Sequence, residues 1–94
     1  MFLSSASGWE IVIKYQIGKL ELPEEPVLYV IRQMKDNYIE DLPIKMAHSL
    51  YVHNLPEIHK DPFDRIIIAQ SIVEKIPVIS CDNIISKYDV EIVW

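Results

Sequence analysis

Apolar residues along this chain fall into short blocks cut apart by prolines and charged turns. Residues 1–6, MFLSSA, read as a short strand. From Ser7 to Ile17 the pattern is helical: Ser7 followed by Glu10 has capping-box spacing, and Glu10 with Lys14 forms an i,i+4 pair. Gly18 is a natural stop, and KLELPEEP is a loop. Val27 to Tyr38 read as a second helix, with Val27, Val30, Ile31 and Met34 on one stripe. YIEDLPI reads as a strand ending near Pro43, Lys45 to Leu55 as a helix, and the run after Asp61 as a helix reaching about Lys75. PVIS, residues 77–80, is a compact strand signal; Asp82 to Lys87 read as a short helix and Val90 to Trp94 as a last strand. Strands alternating with helices predict an α/β fold with a mostly parallel sheet.

HKDPFDRIIIAQS, residues 59–71, sets two aspartates around Pro-Phe ahead of an apolar run. In a helix starting there, Pro62 is N1, Asp61 is the N-cap and Asp64 is N3, near the positive end of the dipole. Capping therefore explains DPFD on local grounds. The alternation of elements adds a second reading. Glu10 follows one strand, Asp82 follows another, and Asp64 begins the helix that feeds residues 77–80. In parallel α/β units these positions share the C-terminal edge of the sheet, where ligands bind. Converging carboxylates repel one another, and Mg²⁺, which takes hard oxygen ligands, relieves that repulsion.

The chain's 94 residues fit one domain, residues 1–94, and half of them are hydrophobic, so a core is expected. A net charge of −5 gives no bulk attraction for nucleic acid. The lone cysteine, Cys81, excludes an internal disulfide. With no signal peptide and no apolar run of membrane-spanning length, the expected location is the cytoplasm. Two glycines are too few for a glycine-rich phosphate loop.

FLSSASGWEIVIKYQIGKLELP, LPI, HKDPFDRIIIAQS and PVISCDNIISKYDVEIVW, in that order, resemble the PIN-domain family, and most of all its VapC-type toxin ribonucleases. The resemblance implies a compact α/β/α sandwich and a Mg²⁺- or Mn²⁺-dependent endoribonuclease. It also implies an RNA substrate, a cognate antitoxin protein and a homodimer. It carries the acidic cluster onto Glu10, Asp64 and Asp82 as catalytic and metal-binding residues. Asp61 stands in the same block, with capping as its simpler role. Ser80 falls where the family often has a hydroxyl near the metal. The family normally opens with a strand bearing a further aspartate, in a pattern like D-T-H, and nothing of that kind precedes Phe2. The resemblance thus leaves three of the usual four acids. Two readings stay open: a metal-dependent endoribonuclease impaired by the missing acid, or an inactive PIN remnant serving as a binding or assembly module.

Other residues have an ordinary reading beside a functional one. His48 and His53, five apart, lie on different helix faces and read as surface or half-buried groups rather than ligands. His59 belongs to the family-like block at the site's rim. Lys60 and Arg65 flank the acids and are candidates for phosphate contact, or plain solvated charge. Lys14 has the same choice between substrate and Glu10. Cys81 reads as a small packed residue. Trp9 is placed to stack on a base, or to pack as core or interface.

In the resembled fold the absent strand lies between residues 1–6 and residues 77–80. These two strands are therefore expected either to close on each other within one chain, or to leave apolar edges that exchange with a second chain. A dimer is the favoured outcome. Light scattering on the 94-residue chain checks it, and a dilute, stable monomer speaks for closure within the chain.

Overall fold

A computed structural model describes residues 1–56 and 61–79. It opens with strand β1, Phe2–Ser4, which passes into helix α1, Ser5–Gln16, with no connecting residue. Ser4 makes the change possible. Its backbone is extended (φ −64°, ψ 141°), and its Oγ accepts the Ala6 N–H at 3.0 Å. A hydroxyl N-cap satisfies one of the amides that a helix start leaves without a carbonyl partner. The helix thus begins before Ser7, and the expected Ser7 cap is not formed. In SSAS the local pattern suits more than one serine. Pairing decides, because β1 stays in register up to Ser4 opposite Leu42.

The end of α1 follows expectation. Gly18 adopts φ 76°, its N–H reaches the Tyr15 carbonyl at 3.1 Å, and the Lys19 N–H reaches that of Lys14 at 2.9 Å. This is a Schellman closure. Helix α2, Pro26–Asp36, starts one residue earlier than expected, with the Glu25 side chain accepting the Leu28 N–H at 3.2 Å. It closes in the same way, Ile39 N–H to Met34 carbonyl at 2.8 Å, with Tyr38 at φ 55° in the left-handed position. The predicted stripe on this helix is half right. Val30 and Met34 pack on the core, but Val27 and Ile31 are exposed, and Tyr29 is buried instead. Helix α2 packs chiefly on α1, and the face it buries is narrower than the apolar pattern spans.

Strand β2 is Glu40–Leu42 and helix α3 is Met46–Tyr51, followed by a 3₁₀ turn, Val52–Asn54. The expected helix from Lys45 to Leu55 is thus split. Helix α4, Pro62–Glu74, leads through Lys75 at φ 58° to strand β3, Val78–Ile79. The expected helix at 82–87 and strand at 90–94 lie outside the described residues.

The described strands form a parallel sheet in the order β2-β1-β3. β1 pairs with β2 as Phe2↔Glu40 and Ser4↔Leu42, and with β3 as Phe2↔Val78 and Leu3↔Ile79. β1 and β3 therefore meet directly, within one chain. Leu3, Ile11, Leu20 and Ile39 form the core, with Val30, Met34 and Ile79 against them. Each fully buried side chain of this size contributes about 1.5–3 kcal/mol.

Two buried polar residues join the helices to the strand ends. Gln70 of α4 donates from Nε2 to the Leu42 and Pro43 carbonyls, both at 3.2 Å, which holds the end of β2. His48 of α3 is fully buried rather than surface or half-buried. Its Nδ1 accepts the Lys45 N–H at 2.9 Å, so the proton lies on Nε2, 2.7 Å from Glu74 Oε2 on α4. The pattern around His48 is no guide to this, because its partner is 26 residues away. His48→Phe keeps a planar ring, slightly larger, and removes both bonds, so a loss of about 1–3 kcal/mol is expected from urea unfolding. Glu74→Gln, which keeps an acceptor oxygen, is expected to cost less. An unchanged urea midpoint for His48→Phe would show that these bonds do not stabilise the fold.

Candidate functional site

Parallel strands end on a common edge, and here α1 starts on that edge directly after β1. Helix α4 feeds β3, so its N-terminus lies on the same side. The second turn of α1 meets the first turn of α4. The rings of Trp9 and Phe63 are 5.4 Å apart, centroid to centroid, and inclined at 82°, an edge-to-face pair. Trp9 directly precedes Glu10, and Phe63 directly precedes Asp64.

The two aspartates of DPFD have separate positions. Asp61 is the N-cap: its Oδ1 accepts the Phe63 N–H at 2.8 Å, and its carbonyl accepts the Arg65 N–H at 3.0 Å. Pro62 takes N1 and Asp64 lies in the first turn, exposed, by the positive end of the helix dipole. Capping accounts for Asp61 fully and for Asp64 only in part.

Glu10 sits one turn deeper in α1 than expected, because the helix begins at Ser5. It is only 8% exposed, and its Oε2 meets Lys14 Nζ at 2.8 Å. A carboxylate so covered requires a partner, and Lys14 supplies one. Arg65 is also engaged: its guanidinium donates to the Val52 and Pro56 carbonyls, both at 3.1 Å, and ties the 3₁₀ turn to α4. Both described cations named for phosphate contact thus have bonds within the fold.

Asp82, Ser80, Cys81, Lys60 and His59 lie outside the described residues. Among the described residues, no group of three or more His, Cys, Asp or Glu is placed to hold a metal. A three-carboxylate centre here requires Asp82 beside Glu10 and Asp64. The donors present are carboxylate oxygens, the hard ligands that Mg²⁺ and Mn²⁺ accept, so they fit such an ion in kind. His48 is tied to Lys45 and Glu74.

Ser7 is a further candidate, marked by its burial rather than by its sequence pattern. Ser7 is fully buried, three residues before Glu10, and its Oγ has no hydrogen-bond partner among the described residues. The Ser7–Glu10 spacing has the form of a cap, but it also places the two residues on one helix face.

The sequence profile of the PIN domain matches residues 1–91. The chain is also 39% identical over 51 residues to ribonuclease VapC16 of Mycobacterium tuberculosis, a stretch covering 54% of this chain and 36% of that relative. The match thus spans about a third of that protein's length. No solved structure matches the chain.

The separate positions of Asp61 and Asp64 are testable. Asp61→Ala is expected to lower stability by about 0.5–2 kcal/mol, the usual cost of losing an N-cap, and to leave Mn²⁺ affinity unchanged. Asp64→Asn is expected to cost under about 1 kcal/mol and to weaken Mn²⁺ binding. Thermal melts with and without Mn²⁺ separate the two effects, and the reverse pattern would exchange the roles.

Proposed function

The chain belongs to the PIN domain family, and on that premise we propose that it is a metal-dependent endoribonuclease of the VapC toxin type. Its substrate is RNA, its cofactor Mg²⁺ or Mn²⁺, and its partner a cognate antitoxin protein. One observation carries the reading. Glu10 and Asp64 directly follow Trp9 and Phe63 along the chain, and the Trp9–Phe63 contact joins α1 to the start of α4 near the C-terminal edge of a parallel sheet. That is where α/β sheets place ligands.

Glu10, Asp64 and Asp82 hold the ion in this reading. A bound divalent ion supplies a more acidic water and polarises the phosphodiester. The protein's part is to hold the carboxylates in place. Lys14 holds that of Glu10, and Asp61 with Arg65 anchors the start of α4, on which Asp64 rides. Helix packing, supported by Gln70 and His48, then keeps the sheet's edge rigid.

A second reading, an inactive PIN domain that binds or assembles, has one observation in its favour. Glu10 is already paired with Lys14 and needs no metal. Mn²⁺ titration and RNA cleavage tell the two apart. Cleavage by the 94-residue chain is expected to be weak, since three carboxylates hold the ion and the net charge of −5 repels RNA. It is expected to require Mn²⁺ or Mg²⁺ and to fall at least tenfold in Glu10→Gln, Asp64→Asn and Asp82→Asn. Unchanged Mn²⁺ binding in both Asp64→Asn and Asp82→Asn rejects the metal site. Metal binding without cleavage supports the second reading.

A further inference from the structure

The serines at the start of α1 differ in what their hydroxyls do. Ser4 caps the helix through its Oγ, and Ser5 Oγ donates to the Leu42 carbonyl at 3.4 Å. Ser7 is fully buried, yet its Oγ has no hydrogen-bond partner among the described residues. A buried hydroxyl without a partner is costly, because it gives up water and gains no bond in return. Alanine at this position removes that cost and is the better helix former. Capping does not call for a hydroxyl here either, since Ser4 already fills that place. The stability of the fold therefore gives no reason for Ser7.

The residues within reach of Ser7 along the chain lie one turn to either side. Leu3 and Ile11 belong to the apolar core, and the Ser4 hydroxyl is occupied at Ala6. Glu10 remains, and it is a candidate ligand to the ion. Helical side chains lean toward the N-terminus, so that of Glu10 leaves its backbone in the direction of Ser7. Its Oε2 meets Lys14 Nζ at 2.8 Å. A carboxylate offers about four lone-pair sites, so this pairing leaves others open. A divalent ion at Glu10 adds positive charge beside that of Lys14, whereas a hydroxyl steadies the carboxylate without adding charge. Carboxylates that ligate metals are held by such hydrogen bonds, and losing one lowers metal affinity about 10–100-fold.

We propose that Ser7 is a positioning residue for Glu10: its hydroxyl donates to the Glu10 carboxylate when that carboxylate serves as ligand to the divalent ion. The bond is not made in the structure described, where Glu10 meets Lys14. The proposal rests on the metal-dependent reading and adds a residue to it. The Ser7 hydroxyl then disfavours the metal-free fold and favours the metal-bound one.

The test combines Mn²⁺ titration by calorimetry with thermal melts in EDTA, on the full 94-residue chain. Ser7→Ala is expected to melt in EDTA at the same temperature as the unaltered chain or higher, and to bind Mn²⁺ about tenfold more weakly. Ser7→Thr keeps the hydroxyl and is expected to retain most of the affinity, even where its added methyl lowers the melting temperature. A purely structural serine gives the opposite pattern, in which Ser7→Ala loses stability in EDTA. That result overturns the proposal, because the hydroxyl then has its partner in the metal-free fold. A loss of affinity in Ser7→Thr as large as in Ser7→Ala overturns it as well. If the unaltered chain binds Mn²⁺ and Ser7→Ala binds it equally well, the proposal alone falls and the metal site stands. If the unaltered chain binds no Mn²⁺, the metal-dependent reading falls and takes the proposal with it.

Discussion

Three residues, Phe2–Ser4, hold the described sheet together. β1 is its middle strand, paired on one side with β2 and on the other with β3. Strands of two and three residues have too few hydrogen bonds to persist alone. They exist because β1 supplies both with partners and because Leu3 carries the sheet into the core with Ile11, Leu20 and Ile39. Direct pairing of β1 with β3 also spares the backbone groups that an open slot would leave unmet, at about 1–3 kcal/mol for each buried one. The same pairing sets the functional end of the molecule. Since α1 follows Ser4 without a linker, the register of β1 determines where Ser7, Trp9 and Glu10 lie.

The second constraint is polar. Helices α3 and α4 are secured to the rest by hydrogen bonds as well as by apolar packing. Gln70 holds the end of β2, His48 joins the start of α3 to Glu74, and Arg65 draws the 3₁₀ turn onto α4. These bonds have direction, so they restrict how α4 rotates and slides, which apolar contact does weakly. Asp64 rides on that helix. An apolar face of comparable extent would hold α4 against the sheet without determining where its first turn comes to rest.

Within the candidate site, neighbouring residues have unlike environments. Asp61 is spent on a backbone amide, whereas Asp64, three residues on, stays exposed. Glu10 is covered and paired, whereas Trp9, the residue before it, faces solvent. Successive helix positions differ by about 100° around the axis, so one turn presents a carboxylate, a ring and a packing residue to different surroundings. Trp9 and Glu10 thus share one turn of α1, and Phe63 and Asp64 one turn of α4.

Much of the secondary structure was legible because its causes are local. Pro62 at N1 with Asp61 as its cap, Gly18 ending α1 in the left-handed conformation, and the alternation of strand and helix all rest on residues within about four positions of each other. The left-handed closures at Tyr38 and Lys75 carried no such mark, since neither is glycine. What the sequence by itself determined is the kind and order of the described elements. Tertiary structure alone decided which serine caps α1, that Tyr29 is buried while Val27 and Ile31 are not, that His48 finds Glu74, and that β1 closes on β3. The physical reason is common to all four. Conformation depends on neighbours along the chain, but burial and pairing depend on which distant surface arrives, and no local pattern contains that information.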